Sequence, residues 1–267
     1  MNQNFRSMSG DSSASALFSL AGKLALVSGA NRGIGRAIAE GLAAFGADVV
    51  GVSSRMSVDA PAIKAAIEAR GAHFHAIQAD FRDTADVERA CSEALDLGRP
   101  IDILVNNAGI ISRAPAESTS INDWNTMLQV DLTSQFLLTR ELGKGMLLRG
   151  QGKIIFVASL LSFQGGINVV AYAAAKSGVA GMTRSLANEW AGRGVNVNAI
   201  VPGYIATDLS EPLRADSKRN GELVSRIPAG RWGEPSDLVG AAVYLASPAS
   251  DYINGVLLPV DGGWLSR

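Results

Sequence analysis

Three residues of the sequence have the types and the spacing of a proton-transfer site. Tyr172 and Lys176 are four residues apart in the alanine-rich segment 171–176, and Ser159 lies thirteen residues before Tyr172. On a helix, positions i and i+4 share one face, so the Lys176 ammonium would lie close to the Tyr172 phenol. A nearby cation favours the phenolate and makes Tyr172 able to exchange a proton with a substrate. The Ser159 hydroxyl would stabilise an oxygen on which negative charge develops.

A glycine-rich turn near the front of the chain predicts a dinucleotide site. The run 23–28 is apolar, as in a buried parallel strand, and it leads into the segment 29–35 with the spacing GxxxGxG. These glycines let the backbone approach a pyrophosphate, whose charge would lie at the N-terminus of a predicted helix at 34–45.

The end of the next predicted strand, 48–53, favours NADP(H). An acidic residue there would bind the ribose 2′-hydroxyl and repel a 2′-phosphate. The sequence instead has Ser53, Ser54 and Arg55, with Arg32 inside the glycine turn. Guanidinium groups suit a phosphate dianion. NAD(H) stays open, because Arg55 could point to solvent and the serines accept either cofactor.

The remaining pattern alternates strands and helices. Strands are predicted at 72–79, 101–105, 153–158, 196–201 and 256–260, and helices at 59–70, 83–97, 120–148, 170–190 and 235–246. Residues 207–225 are polar and irregular in pattern, as in a mobile lid. The alternation predicts an α/β fold, a single-domain, Rossmann-like, doubly wound parallel sheet with helices on both faces. We expect this domain to span residues 18–267 after a disordered tail at 1–17.

Polar and small residues follow the predicted strands at the edge of the sheet where ligands bind. Asp80 could accept a hydrogen bond from the adenine amino group, and Phe81 could pack on the ring. An Asn-Asn-Ala-Gly turn at 106–109 would let the main chain pass close to a ligand, and the Pro-Gly pair at 202–203 ends another strand.

Composition excludes several classes of partner. The net charge of −1 predicts neither nucleic-acid nor anionic-membrane binding, and no stretch of eighteen apolar residues predicts a membrane span. The single cysteine, Cys91, fits a reducing compartment, so we expect a cytoplasmic protein. His73 and His75 have no acidic or cysteine neighbours to complete a ligand set, so no metal site is predicted.

From about residue 20 to 267 the sequence resembles the short-chain dehydrogenase/reductase family. The glycine turn, Asp80, the 106–109 turn, the Ser-Tyr-Lys set and the 202–203 pair carry the resemblance, in this order and at family spacing. Within the family the segments 162–167, 213–216, 226–233 and 260–265 are similar to those of dehydrogenases of 2-deoxy-D-gluconate and 2-dehydro-3-deoxy-D-gluconate. The resemblance implies reversible hydride transfer between a nicotinamide and a secondary alcohol or ketone of a sugar acid, in a homotetramer.

The motifs and the resemblance together predict the contacts of the site. The cofactor-binding residues are expected to be Gly29, Asn31, Arg32, Gly33, Ile34, Gly35, Ser53, Ser54, Arg55, Asp80, Phe81, Asn107, Ala108, Gly109, Tyr172, Lys176, Pro202, Gly203, Ile205 and Thr207. A substrate carboxylate needs a cation, and Arg113 is the first candidate. Arg214 and Arg219 in the segment 207–225 are further candidates. Gln164 and Asn168, between Ser159 and Tyr172, could contact hydroxyl groups.

One residue departs from the family pattern. Many members carry an asparagine on the long helix, where it supports a water beside the catalytic lysine, and this sequence has Asp131. An aspartate can accept from that water but cannot donate an amide hydrogen. We count Asp131 among the catalytic residues and expect it to lie near Lys176, where a carboxylate would help keep the lysine protonated.

Two other interpretations remain open. The same chemistry could act on another substrate, as in gluconate 5-oxidation or reduction of a 3-oxoacyl thioester. A protein of a different class, a non-catalytic dinucleotide-binding regulator, would keep the fold without turnover. The complete set of Ser159, Tyr172 and Lys176 argues against that class.

Overall fold

Seven parallel strands form one sheet in the order β3-β2-β1-β4-β5-β6-β7. The strands are β1 Leu24–Ser28, β2 Asp48–Ser53, β3 Phe74–Gln78, β4 Ile103–Asn106, β5 Gly152–Val157, β6 Val195–Pro202 and β7 Leu257–Val260. The strand order reverses direction between β1 and β4, and a crevice opens at such a point beside the carboxyl ends of the strands. The parallel α/β sheet predicted from the sequence is confirmed.

Helices connect the strands. They are α1 Ala14–Leu17, α2 Gly33–Ala44, α3 Met56–Glu68, α4 Thr84–Leu95, α5 Ile121–Leu128, α6 Ser134–Arg149, α7 Val170–Trp190, α8 Glu211–Ala215, α9 Ser217–Arg226 and α10 Val239–Ala246. This computed structural model describes residues 14–267, so most of the predicted tail lies outside the described residues. The last four positions of that predicted tail form α1.

The sheet is buried on both faces because alternate residues of its strands enter two different cores. Leu24 and Leu26 of β1 pack into one apolar cluster with α4, α6 and α7. Ala25 and Val27 pack into the other with α2, α3 and α10. Continuous apolar strands of this kind are expected where helices cover both faces of a parallel sheet.

Two predicted elements differ from the structure. The helix predicted at 120–148 is divided by a π-helical turn, Gln129–Thr133, between α5 and α6. The segment 207–225, predicted to be irregular, is mostly helical, with a 3-10 turn at Asp208–Ser210 followed by α8 and α9. Asp216 accepts a hydrogen bond from the Arg219 N–H at the start of α9, and Leu223 is buried beneath the helix. A cap and one buried leucine therefore stabilise a helix whose composition is otherwise polar.

Two further findings concern membrane-spanning helices and metal-binding groups. No helix within residues 14–267 is long and apolar enough to cross a membrane. In the same part of the chain, no group of three or more histidine, cysteine, aspartate or glutamate side chains is arranged to hold a metal ion.

Candidate active site

The predicted site residues converge on one cleft of about 610 Å³ beside the carboxyl ends of the strands. The cleft is lined by all three residues of the Ser-Tyr-Lys set, by Asp131, and by every predicted cofactor contact from the glycine turn to Thr207. Of the predicted substrate contacts, Arg113 and Gln164 also line it. Residues far apart in the chain thus meet because parallel strands deliver their carboxyl ends to the same edge.

Asn168, like the further candidate Arg214, is a predicted site residue that does not line the cleft. Its backbone adopts a left-handed conformation with φ of 62°, and its side chain is exposed to solvent. The Asn168 carbonyl accepts a hydrogen bond from the Ala114 N–H at 3.0 Å. Asn168 therefore joins the loop before α7 to the loop after β4, and we do not retain it as a hydroxyl contact.

The glycine turn is packed so closely that side chains would not fit. A Cβ atom on Gly35 would overlap the Gly29 carbonyl oxygen and the Asn107 side chain, and one on Gly29 would lie 2.8 Å from Asn107 Nδ2. The Asn107 amide donates hydrogen bonds to the carbonyls of Ser28 and Gly29, at 3.0 and 3.3 Å. Asn107 thereby braces the turn, and the N-terminus of α2 is left facing the cleft, as pyrophosphate binding requires.

The end of β2 fits the ribose portion of a dinucleotide. The Ser53 hydroxyl is buried and has no hydrogen-bond partner among the described residues, although it lies on the cleft. Buried hydroxyls are usually satisfied, so this orphan group is suited to a ligand oxygen. Arg55 is exposed beside it, while Arg32 forms an ion pair with Asp208 at 2.9 Å. The donor set at this end is cationic, as a 2′-phosphate requires.

Asp80 and Phe81 lie beyond the end of β3. The Asp80 N–H donates to Asp86 at 2.6 Å, and the Asp80 carboxylate accepts from the Arg82 N–H at 3.0 Å. The carboxylate is about half exposed, so it keeps accepting capacity for a ligand. Phe81 is 6% exposed and presents only a small part of its ring to the cleft.

The segment after β5 positions Ser159 against α7. The Ser159 side chain accepts a hydrogen bond from the Leu161 N–H at 3.2 Å, which caps a 3-10 turn at Leu160–Ser162. The Ser162 hydroxyl donates to the Lys176 carbonyl at 2.7 Å. These bonds hold the Ser159 loop on the helix that carries Tyr172, so the hydroxyl and the phenol share one wall of the cleft.

Lys176 is held at the base of the cleft by one hydrogen bond and one buried ion pair. Its ammonium donates to the Val157 carbonyl at 3.0 Å and lies 3.5 Å from the Asp131 carboxylate. The ammonium is also 5.6 Å from the centre of the Tyr172 ring. The predicted neighbourhood of Tyr172, Lys176 and Asp131 is therefore present, and Asp131 lies on the lysine side of it.

Asp131 is completely buried within the π-helical turn. Its Oδ1 atom accepts from the Ile110 N–H at 2.8 Å, while Oδ2 has no hydrogen-bond partner among the described residues. Burial raises the pKa of the Asp131 carboxyl above its usual range, and the Lys176 ammonium and the Ile110 N–H act in the opposite direction. The net rise in pKa follows from the complete burial of the carboxyl group, which is the largest of these effects.

Other residues that the prediction did not include also line the cleft, and the aromatic and cationic side chains that follow Pro202 form one group. This group consists of Tyr204, Arg226, Trp232 and Trp264, together with Arg219, which was a further candidate for the substrate carboxylate. Tyr204 follows a strand end directly, a position that the strand-edge rule could have identified. The others lie in segments that are far from the Ser-Tyr-Lys set in the sequence, so sequence spacing did not indicate that they line the same cleft.

The comparisons with known proteins agree with this geometry. Residues 29–265 match the family model described as enoyl-(acyl carrier protein) reductase. A 2-dehydro-3-deoxy-D-gluconate 5-dehydrogenase of Pseudoalteromonas atlantica is 51% identical over 250 residues, which cover 94% of this chain and 98% of that protein. The Bacillus subtilis protein of the same name is 52% identical over 250 residues, covering 94% and 97%.

A solved structure has the same fold. The gluconate 5-dehydrogenase from Burkholderia cenocepacia, in complex with NADP and tartrate, has a TM-score of 0.91 at 38% sequence identity. The match covers 96% of this chain and 100% of that one. The family match and the relatives span nearly all of the chain, and the chain therefore belongs to the short-chain dehydrogenase/reductase family.

Proposed function

We propose that this protein is an NADP(H)-dependent oxidoreductase that interconverts a secondary alcohol and a ketone on a sugar acid of the 2-dehydro-3-deoxy-D-gluconate or 2-deoxy-D-gluconate type. The observation that carries the proposal is the meeting of Ser159, Tyr172 and Lys176 in the cleft that the glycine turn opens onto. The relatives named for this activity support the choice of substrate class.

The proton chemistry is assigned to this chain's own residues. NADPH, when bound, supplies the hydride to the carbonyl carbon, and NADP⁺ accepts it in the reverse direction. In reduction, the Tyr172 hydroxyl gives its proton to the substrate oxygen, and in oxidation the phenolate takes that proton back. The Ser159 hydroxyl donates a hydrogen bond to the same oxygen as charge develops on it. The Lys176 ammonium favours the phenolate form of Tyr172 through its charge.

The cleft suits NADP(H) for three reasons. The N-terminus of α2 at the glycine turn lines the cleft, the orphan Ser53 hydroxyl lies on the same cleft, and Arg32 and Arg55 supply positive charge. No acidic residue follows β2 to repel a 2′-phosphate. The Burkholderia relative is described in complex with NADP, which supports the same choice here.

We also propose that the protein is a cytoplasmic homotetramer. Large apolar side chains are exposed on α5 and α6, where Ile121 is 74% and Leu148 is 90% exposed. Exposed apolar surface of this kind favours self-association, and closed symmetry is its usual outcome. The lone cysteine and the near-neutral charge fit a reducing compartment and a small-molecule substrate.

A substrate panel tests the proposed activity. The protein is offered uronate-derived keto acids, gluconates and 3-oxoacyl thioesters with each nicotinamide, and the absorbance of reduced nicotinamide is followed. We expect the highest kcat/KM with the 2-dehydro-3-deoxy or 2-deoxy sugar acids and NADP(H). Preference for gluconate would favour gluconate 5-oxidation, and preference for a thioester would favour acyl reduction. Turnover of none would favour the non-catalytic binding protein.

A further inference from the structure

The carboxylates that line the cleft are neutralised by cations. There are three of them, on Asp80, Asp131 and Asp208. Their partners are Arg82 at 3.7 Å from Asp80, Lys176 at 3.5 Å from Asp131, and Arg32 at 2.9 Å from Asp208. None of these pairs includes the arginines of the lid or of the loop after β4. The remaining positive charge of the cleft is therefore available to a ligand.

Arg113 and Arg226 carry part of this remaining charge. Within residues 14–267, neither guanidinium has a carboxylate partner or donates a hydrogen bond to the protein, and both line the cleft. Arg219 also lines the cleft, but it is paired with Glu222 at 3.1 Å. A guanidinium with free donors beside a cleft is the usual protein group for binding a carboxylate through two parallel hydrogen bonds.

Aromatic rings hold Arg226 in place. Its guanidinium carbon lies 4.1 Å from the centre of the Trp264 ring, and Trp264 is only 5% exposed. Tyr204 packs against Trp264 with ring centres 4.7 Å apart, and against Trp232 at 5.5 Å. A guanidinium resting on a buried ring loses little freedom on binding and keeps its N–H groups for a ligand.

The same cluster fastens the lid helix. The Trp232 indole N–H donates to Asn220 of α9 at 2.7 Å, and Arg226 is the last residue of α9. The arginines also affect Tyr204. Burial raises the pKa of the Tyr204 hydroxyl, and the charges of Arg219, Arg226 and Arg113 act in the opposite direction. Arginines of α9 and of the loop after β4 thus act on one phenol inside the cleft.

We propose that Arg226, supported by Trp264 and acting with Arg113, binds the carboxylate of the substrate and selects acidic over neutral polyols. The inference rests on the proposed function and adds the residues that recognise the acid. It assigns a role to the last residue of α9, so binding of the acid would also hold this helix at the cleft. A neutral polyol with the same hydroxyl groups would leave Arg226 without a partner.

The test compares D-gluconate with D-glucitol, which has a hydroxymethyl group in place of the carboxylate. Binding of each to the NADP⁺-loaded protein is measured by calorimetry, with the fluorescence of the two nearby tryptophans as a second readout. We expect the wild type to bind gluconate at least about tenfold more tightly than glucitol, the effect of a charge-assisted pair. Arg226→Met and Arg113→Met should each remove about tenfold of gluconate affinity and leave glucitol affinity unchanged.

Lys218→Met is the matched control, because it removes one positive charge from the exposed side of the same helix, outside the cleft. It should change neither affinity. Undiminished gluconate binding by Arg226→Met, or equal loss of both ligands, would overturn the proposed carboxylate site. The same holds if the wild type does not prefer gluconate. Arg226-dependent gluconate binding without turnover of any sugar acid would instead refute the proposed function and leave the site standing.

Discussion

The Asp131 carboxylate lies 3.5 Å from the Lys176 ammonium, and the two side chains are 0% and 4% exposed to solvent. At such burial the charge of one group strongly affects the other, because little water screens it. The Val157 carbonyl and the Ile110 N–H hold the pair in place. The family's asparagine is thus replaced by a group that can interact with the lysine through charge.

Substitutions of Asp131 test whether its interaction with Lys176 affects turnover. Asp131→Asn should remain active, but the pH optimum of alcohol oxidation should move upward. The reason is that Lys176 loses the negative charge that holds its ammonium in place beside Tyr172, and the charge of that ammonium favours the Tyr172 phenolate. Asp131→Ala should be much less active, since the Ile110 N–H also loses its acceptor. pH profiles of kcat for the wild type and both variants give the answer.

Glu189→Gln, on an exposed position of α7, is the control for loss of an acidic group. It should reproduce the wild-type pH profile. Wild-type activity in Asp131→Ala would show that Asp131 has a structural role and takes no part in proton transfer.

Asp131 should also make stability depend on pH. Burial raises the pKa of the Asp131 carboxyl in the folded protein above its usual range, so the folded state binds a proton more readily than the unfolded chain. The stabilisation is complete below the unfolded pKa and is lost as pH rises through the folded one. The wild type should therefore lose stability relative to Asp131→Asn as pH rises from about 4. Urea unfolding of both across this range measures the difference, and a constant difference would contradict the raised pKa.

Strand ends and helix bounds were largely readable from the sequence, because buried parallel strands are continuously apolar. The catalytic helix has the predicted bounds, Val170–Trp190, and the glycine turn lies where the spacing predicted it. The cleft contains all the predicted site residues except Asn168 and Arg214. Their common location has one cause, since parallel strands bring their carboxyl ends to one edge wherever they stand in the sequence.

Other features depend on tertiary contacts that periodicity does not encode. The π-helical turn at Gln129–Thr133 interrupts a helix whose apolar residues run through it without a break, so the interruption was not predicted, although Asp131 was expected near Lys176. The lid is helical through a cap and one buried leucine, which a polar composition concealed. The contact of Arg226 with Trp264 joins two segments that only the closed fold brings together.

Cofactor preference follows from the arginines. Arg55→Ala should weaken NADP(H) binding by about tenfold, the effect of losing a hydrogen bond to a charged group, and should leave NAD(H) binding unchanged. Arg70→Ala is the control, because Arg70 pairs with Glu40 outside the cleft. Dissociation constants from nicotinamide fluorescence report both cofactors. Tighter binding of NAD(H) than NADP(H) by the wild type would refute the assignment.

Removal of the ion pair between Arg32 and Asp208 should change NADP(H) affinity in the opposite direction, toward tighter binding. Asp208 competes with a phosphate for the Arg32 guanidinium, to which it is now bound at 2.9 Å. Asp208→Asn should therefore tighten NADP(H) binding without affecting NAD(H). The pair is exposed, so a gain of a few-fold is the expected size. Weaker NADP(H) binding by this variant would show that Asp208 supports the site.

Self-association is expected through the apolar surface of α5 and α6. Light scattering at micromolar concentration should give four times the 27.8 kDa mass of one chain. Phe136→Glu, at a position 42% exposed on α6, should reduce that mass, because a charge in an apolar interface is costly. Val58→Glu, at an exposed position of α3, is the control and should not. A monomer mass for the wild type would contradict the tetramer.

The most direct test of the account is the turnover of Tyr172→Phe, a substitution that removes only the hydroxyl group. The mechanism assigns that hydroxyl the proton transfer, so kcat with the preferred sugar acid should fall at least about a hundredfold. NADP(H) affinity, measured on the same sample, should stay nearly unchanged because the ring and the Lys176 contacts remain. Turnover close to that of the wild type would contradict the assignment of Tyr172 as the proton donor and acceptor.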